Sequence, residues 1–354
     1  MSLEGRREIR HPLRRGRRPV PIWLATVLLA GLSLQFFGAS AKAQSARQYF
    51  RIGTGGQSGT YFPVGRLIAE IISDVAQGRD CVQVRCGVPG LIAVAQTSNG
   101  SVANVAALQS GEIEAALVQA DVAQWAFEGK ELYAGKPRLD RLRFLAHLYS
   151  EAMHVVVRKE AGIHTVGDLR RRTAAFDEPG SGTLVHVRNL LRAYHLTDGD
   201  LHAEYIKPDL ALPRMMQGKL DAFFIVAGWP AKAVVDALGS GHAGLLSIGP
   251  EQARAVIAAN PFLTYGEIPA NAYAGIPAIR TLMVGAQLIV RADIPADRIA
   301  NILDALWSKR GETILKKGHP RGSEIQISSA LAGRGIPMHP GAERFYRQRG
   351  LLPG

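Results

Sequence analysis

The stretch Gly53-Thr-Gly-Gly-Gln-Ser-Gly-Thr-Tyr61 constrains this chain more than any other. It separates a short apolar strand, Tyr49 to Ile52, from a helical pattern that runs from Tyr61 through Val75. Glycines let the backbone turn sharply there and aim its N–H groups outward, and the positive end of the helix dipole lies behind them. Such a loop receives a carboxylate or phosphate without any charged side chain. Pro179-Gly-Ser-Gly-Thr183 repeats the device at the start of a later helix. Two anion cradles so far apart in sequence point to two lobes closing on one small acidic ligand. On this reading, bulky replacements at Gly59 or Gly182 abolish binding while the protein still folds.

Between and beyond the loops, short strands alternate with helices. Phe50–Thr54, Leu91–Thr97 and Ala115–Gln119 read as strands, and Tyr61–Val75, Ser101–Ser110 and Asp121–Phe127 as the helices that follow them. This is the pattern of a parallel sheet covered by helices. Two extended segments, Phe144–Tyr149 and His154–Arg158, then break the alternation and suggest a crossover into a second lobe. There, strands at Thr173–Phe176, Ala203–Ile206, Ala222–Val226 and Leu245–Ile248 alternate with helices at Leu184–Tyr194 and Leu210–Gln217. Leu282–Val290 reads as the return crossover, and Pro295–Lys309 as an amphipathic helix with Ile299, Ile302, Leu303 and Leu306 on one face.

The net charge of +12 invites a nucleic-acid partner, but its distribution argues against one. Seven Arg and one Lys against two Glu leave +6 on residues 1–43, and elsewhere basic residues are scattered with no basic stripe. Residues 1–43 instead read as an export signal: a basic segment from Arg6 to Arg18, an apolar run from Ile22 to Phe37, and the small-x-small site Ala41-Lys42-Ala43. The expected location is therefore the periplasm. An uncleaved anchor and twin-arginine export remain open alternatives. Cys81 and Cys86 both follow the leader, and in an oxidising compartment they read most simply as a local disulfide, with free thiols or a metal site as the other possibilities. A metal would need further ligands, and no His lies between Tyr49 and Leu142. No metal and no cofactor are expected.

The first loop does not match the enzyme motifs it superficially resembles. A dinucleotide fingerprint needs glycine where Ser58 stands, and a P-loop needs a lysine after Gly59. Neither loop contains the Gly-x-Ser-x-Gly of a hydrolase elbow. Ser101 reads as a helix N-cap that, in a parallel sheet, also sits at the strand ends where ligands bind. Gln119 and Asp121 end the next strand in the same crevice. Gln119 suits a ligand carboxylate or amide, and Asp121 suits either a ligand amine or its own helix cap. Tyr61 and Trp229 flank the site loops, as ligand walls or as ordinary packing. Asp177 and Glu178 precede the second loop and either face an amine or point into solvent. The alternative of an exported enzyme acting on an acyl or phosphoryl substrate would draw on Ser58 or Ser181 with His154 or His186.

Several stretches together carry a family likeness. They are Ile52–Tyr61, Asn99–Val105, Ser110–Asp121, Gly180–Thr183, Gly218–Pro230 and Ile336–Tyr346, in this order across nearly the whole chain after the leader. The chain resembles the TAXI (TRAP-associated extracytoplasmic immunogenic) solute receptors of tripartite ATP-independent periplasmic transporters. The resemblance implies a two-lobed α/β type II periplasmic-binding-protein fold with crossover hinge strands. Lobe 1 would comprise residues 44–152 and 292–354, and lobe 2 residues 153–291. It implies a non-enzymatic, monomeric receptor that delivers a small carboxylate or a glutamate-like amino acid to TRAP-type membrane permease subunits. Carried onto this chain, Ser58, Gly59, Thr60, Tyr61, Ser101, Val102, Gln119, Gly180, Ser181, Gly182 and Thr183 would contact ligand, with Trp229 as a wall. The family often has Gly or a small residue just before the second glycine loop, where this chain has Asp177-Glu178.

Overall fold

Strand β1 (Gln48–Gly53) shows how local pattern becomes packing: Phe50 and Ile52 point inward and are buried, while Tyr49 before them is exposed and Arg51 between them is half-buried. The first glycine loop then turns the chain into α1 (Tyr61–Ile72), which buries Val64, Ile68, Ile71 and Ile72 along one stripe. Each such fully buried side chain contributes about 1.5–3 kcal/mol relative to exposure. The structure is a computed structural model that describes residues 47–74 and 86–353. The expected leader over residues 1–43 and the Cys81 half of the expected disulfide lie outside those residues, and Cys86 is buried. Among the described residues, no helix is long and apolar enough to cross a membrane.

The first half continues with β2 (Leu91–Gln96), α2 (Ser101–Ser110), β3 (Ala115–Gln119) and α3 (Ala120–Glu128). Strands β2 and β3 both pair parallel to β1, as consecutive βα units do. The second half contains β5 (Thr173–Ala175), α4 (Gly182–Ala193), β6 (His202–Glu204), α5 (Pro208–Met216), β7 (Ala222–Ala227), α6 (Lys232–Gly239), β8 (Ala243–Leu246), α7 (Pro250–Ala259) and β9 (Thr264–Ile268). There β5 pairs parallel to both β6 and β7.

Two long antiparallel strands join the halves, β4 (Leu142–Arg158) and β10 (Ile279–Arg291). The sheet order is β2-β1-β3-β10-β4-β7-β5-β6, with β8 added on β4 and β9 on β10. On both long strands the buried side chains change core at the middle. One cluster holds Leu142 to Tyr149 together with Ala286 to Val290, and two others take over from Ala152 onward and up to Val284. Glu151 and its ladder partner Val284 therefore sit at the waist of the molecule.

The two extended segments expected at 144–149 and 154–158 are one continuous strand. Ser150 and Glu151 interrupt the apolar pattern without interrupting the ladder, because Gly285 and Val284 of β10 pair with them. Strand β9 was not expected, since Thr264-Tyr-Gly-Glu carries neither an apolar run nor clean alternation; it is held by pairing with Ile279–Met283. The helix expected over 295–309 is α8 (Ala296–Leu306), ending three residues early, and a further helix that was not expected, α9 (Lys309–Gly318), follows it. Ser308 divides them, its side chain accepting from Gly311 N at 3.0 Å as an N-cap. The tail, ending in α10 (Pro340–Gln348), returns to the first half, where Phe144 N donates to Pro337 O and Tyr346 Oη to Leu145 O.

Candidate functional site

Both glycine loops and the waist of β4 meet at one cavity of about 70 Å³. Its walls come from Gly55, Gly56, Ser58–Tyr61, Ser98–Ser101 and Gln119 in the first half, and from Asp177, Ser181–Thr183, Lys207–Asp209, Ile225 and Val226 in the second. Glu151 of β4 lies between them. The N-termini of α1, α2, α4 and α5 all reach this wall. First-turn N–H groups have no intrahelical carbonyl to bond, and the aligned dipoles add positive potential, so the backbone around the cavity favours an anion.

The halves are closed on each other here. Ala103 N donates to Gly180 O at 2.9 Å and Asn99 Nδ2 to Pro179 O at 3.0 Å. Thr60 Oγ1 donates to Gly228 O at 2.6 Å, and Ala233 N to Ser58 O at 3.0 Å. Behind the first loop the buried Asn104 fixes its shape, with Nδ2 donating to Thr54 O and Leu117 O and Oδ1 accepting from Ser98 Oγ. The wall hydroxyls are engaged in similar positioning. Ser101 Oγ accepts from Gln119 N, Ser181 Oγ from Leu184 N, and Thr183 Oγ1 from Val226 N.

The side chains facing the cavity contribute mainly acceptors. Glu151 is 1% exposed, and burial pushes its carboxyl up to about 8, against the stabilising donation of Tyr61 Oη at 2.8 Å. The Asp121 carboxylate raises it further, while Arg321 and Gln119 act in the opposite direction. Asp177 enters from the second half and is pushed up to about 7, again chiefly by burial. Its φ is +68°, a left-handed conformation that favours glycine and that Asp tolerates better than most residues. This accounts for the small residues expected at that place in the family: here the same backbone turn carries a carboxyl into the site. Gln119 is buried, and its Oε1 has no hydrogen-bond partner. Among the described residues Lys207 is the one basic side chain on the wall, and it is 3.4 Å from Glu178.

Of the residues expected in the site, Ser58, Gly59, Thr60, Tyr61, Ser101, Gln119, Ser181, Gly182 and Thr183 lie on this wall. Four do not. Val102 and Gly180 line an adjoining outer groove with Trp125 and Leu184. Trp229 lies under the Arg321 guanidinium, 3.8 Å from its ring centre, and is absent from the wall. Asp121 is fully buried behind it, accepting from Asn260 Nδ2 at 2.7 Å and from Val122 N, with His186 Nε2 at 3.4 Å. Ser101 is the first residue of α2, and Gly100 is the N-cap. Glu151 was not anticipated. Its signal in the sequence was a lone carboxylate inside an apolar stretch, which read as a break between two strands.

The serine–histidine sets weighed for an enzyme are not assembled. His154 is buried, its ring nitrogens at 2.8 Å from Tyr273 Oη and 3.2 Å from Ile225 O, and burial lowers it to about 4. His186 faces Asp121. Neither histidine is on the cavity wall. Among the described residues, no group of three or more His, Cys, Asp or Glu side chains is placed to hold a metal ion.

Two parallel βα halves, joined by two long antiparallel strands and closed on a small polar cavity, define a type II periplasmic-binding fold. The chain belongs to the NMT1-like family, which matches residues 52–350. Among solved structures it is similar to MatC from Rhodopseudomonas palustris with bound malate, at 15% identity and a TM-score of 0.49 over 86% of this chain and 99% of that one. It is also similar to the periplasmic aliphatic sulphonate binding protein SsuA from Escherichia coli, at 18% identity and a TM-score of 0.43 over 86% and 88% of the two chains. The alkanesulfonate-binding protein SsuA from Xanthomonas axonopodis pv. citri bound to MOPS matches at 15% identity and a TM-score of 0.44, over 88% and 96%. At such low identities the functional reading rests on this chain's own residues.

Proposed function

We propose that the protein is an extracytoplasmic solute-binding receptor that captures a small carboxylate or amino acid between two lobes. Delivery would be to a TRAP-type membrane transporter, as the TAXI resemblance implies, with the leader over residues 1–43 directing export. The observation that carries the reading is the convergence of four helix N-termini from both halves on one cavity between them. An anion seated there bonds backbone donors of both halves only when the halves are together, so ligand favours closure by differential binding. The same geometry provides no poised nucleophile and base, which favours capture over turnover.

A thermal-shift screen of the ligand-stripped protein against amino acids and mono- and dicarboxylates tests this. Ligand at about a hundred times its dissociation constant adds roughly 2.7 kcal/mol, which raises the melting temperature by a few degrees for a chain of this size. A selective shift by members of one of these classes is expected. A folded protein that responds to none of them overturns the reading.

A further inference from the structure

Among the described wall residues two carboxyls face the cavity, each accepting one hydrogen bond, Glu151 from Tyr61 Oη and Asp177 from Glu178 N, and the one unpartnered side-chain atom, Gln119 Oε1, is also an acceptor. Glu151 comes from the strand at the waist, Asp177 from the second half, and Gln119 Oε1 from the first. A bare anion would use the helix termini and leave these acceptors facing it. Lys207 does not balance them, since it stands at the α5 rim paired with Glu178.

We propose that Glu151 and Asp177 read a positively charged group on the ligand, so that the protein prefers a zwitterionic acid to the same acid without its amine, and the preference widens as pH rises. The proposal rests on the receptor reading and adds to it the residues that set specificity. Closing around an ammonium lets both carboxyls stay ionised and paired. Closing around an amine-free acid desolvates them beside a second anion, so they must take up protons, which becomes costlier at higher pH.

The charged and titratable surroundings fit this account. Glu151 accepts from Tyr61 Oη of α1, and Asp121 of α3 lies behind it as a further negative charge. Tyr149 shares its strand. Arg321 is the cation in reach, but its Nη2 is committed to Ser150 O and Glu324 and its plane to Trp229. Asp177 has Glu178 beside it, and Asp209 stands at the same rim. Among the described residues, Lys207 is the basic side chain on the wall, and it pairs with Glu178.

The test is isothermal calorimetry with matched probes, L-glutamate against glutarate and L-alanine against propionate, at pH 6, 7 and 8. At least one pair is expected to show an amine preference that reaches about tenfold or more at pH 8 and narrows toward pH 6. The amine-free member is expected to bind with net proton uptake, read from buffers of different ionisation heat. In Glu151→Gln/Asp177→Asn the preference collapses while the amine-free acid binds at least as well. Equal affinities within each pair at pH 8, or a preference that survives in the double variant, overturn the proposal and leave the receptor reading standing. Should the variant not fold, the wild-type pH series alone decides. Absence of heat from every probe at every pH overturns both.

Discussion

Gly182, at the N-terminus of α4, meets Gln119 of β3 so closely that a Cβ on Gly182 would lie 1.7 Å from Gln119 Oε1. The contact joins the two halves at the cavity wall, so a side chain on Gly182 drives the Gln119 amide from its place into the cavity. Gly182→Ala therefore acts on the cavity and the closed form and not on the fold of either half. We expect ligand affinity to fall by roughly ten- to a hundredfold, the equivalent of the 1–3 kcal/mol typical of overpacking. Gly59 differs. A Cβ there meets only Gly56 O at 3.7 Å and Ile225 Cδ1 at 4.0 Å, which are ordinary contacts. Gly59→Ala should change affinity by less than about threefold. Both are measured by titration calorimetry, and equal losses in the two variants would show that the glycines act through their own loops. The two glycines look alike in the sequence, and close approach across the cleft separates them.

Asp121 makes a second bridge between the halves. It lies on α3 and accepts from Asn260, the residue that ends α7, with His186 of α4 nearby. All three are buried. A hydrogen bond to a charged group contributes about 1.5–3 kcal/mol. Asn260→Ala removes that contact without touching the cavity wall, so it should weaken ligand binding by about tenfold through faster dissociation, with association little changed. Stopped-flow kinetics separate the two rates, and an unchanged dissociation rate would remove Asp121 from any role in holding the cleft shut.

The glycine loops and their helices were readable because backbone chemistry demands particular residues there: three glycines, Ser and Thr ahead of an apolar stripe have few structural uses. The βα alternation was readable for a similar reason, since periodicity is a local property. Glu151 was not. A single carboxylate in an apolar stretch gives no local sign that strands β3, β4 and α1 will bring Gln119 and Tyr61 to it. Asp121 misled for the complementary reason, because its position at the end of a site strand is local while its partners, Asn260 and His186, lie far along the chain. Asp177 was visible, but neither its left-handed φ nor its place on the cavity wall is a local property of the sequence.

Burial of Glu151 makes a prediction about stability. Its carboxyl is at about 8 in the folded chain, far above its value in an unfolded one, so the folded state holds the proton more tightly. The resulting stability is fully present below the unfolded value and is lost as pH rises toward 8. Asp177, at about 7, acts in the same direction. His154 acts oppositely: lowered to about 4, it removes stability as pH falls below its ordinary value near 6.5. Without ligand, Glu151→Gln should therefore gain stability over the wild type between pH 5 and pH 8, by a few kcal/mol at the upper end. Urea titrations at several pH values measure the difference, and a gap that does not grow with pH would mean that Glu151 is ionised in the folded protein.

Trp229 and Tyr61 were both weighed as ligand walls, and they should now behave differently. Tyr61 lines the cavity and donates to Glu151. Trp229 instead supports the buried Arg321, whose guanidinium lies over its ring while Nη2 reaches Ser150 O at 3.3 Å. A desolvated cation–π contact of this kind is worth about 2 kcal/mol, and removing the indole also uncovers apolar area. Trp229→Ala should thus lower the melting temperature by several degrees. Any affinity lost with it should be restored in Trp229→Phe, which keeps a ring beneath the guanidinium. Tyr61→Phe should cost only the roughly 1–3 kcal/mol of one donor lost to a buried carboxyl, with the packing kept, and should alter ligand affinity directly at the cavity. Melting curves and calorimetry on the three variants decide the matter. Loss of binding in Trp229→Phe at full stability would return the indole to the ligand.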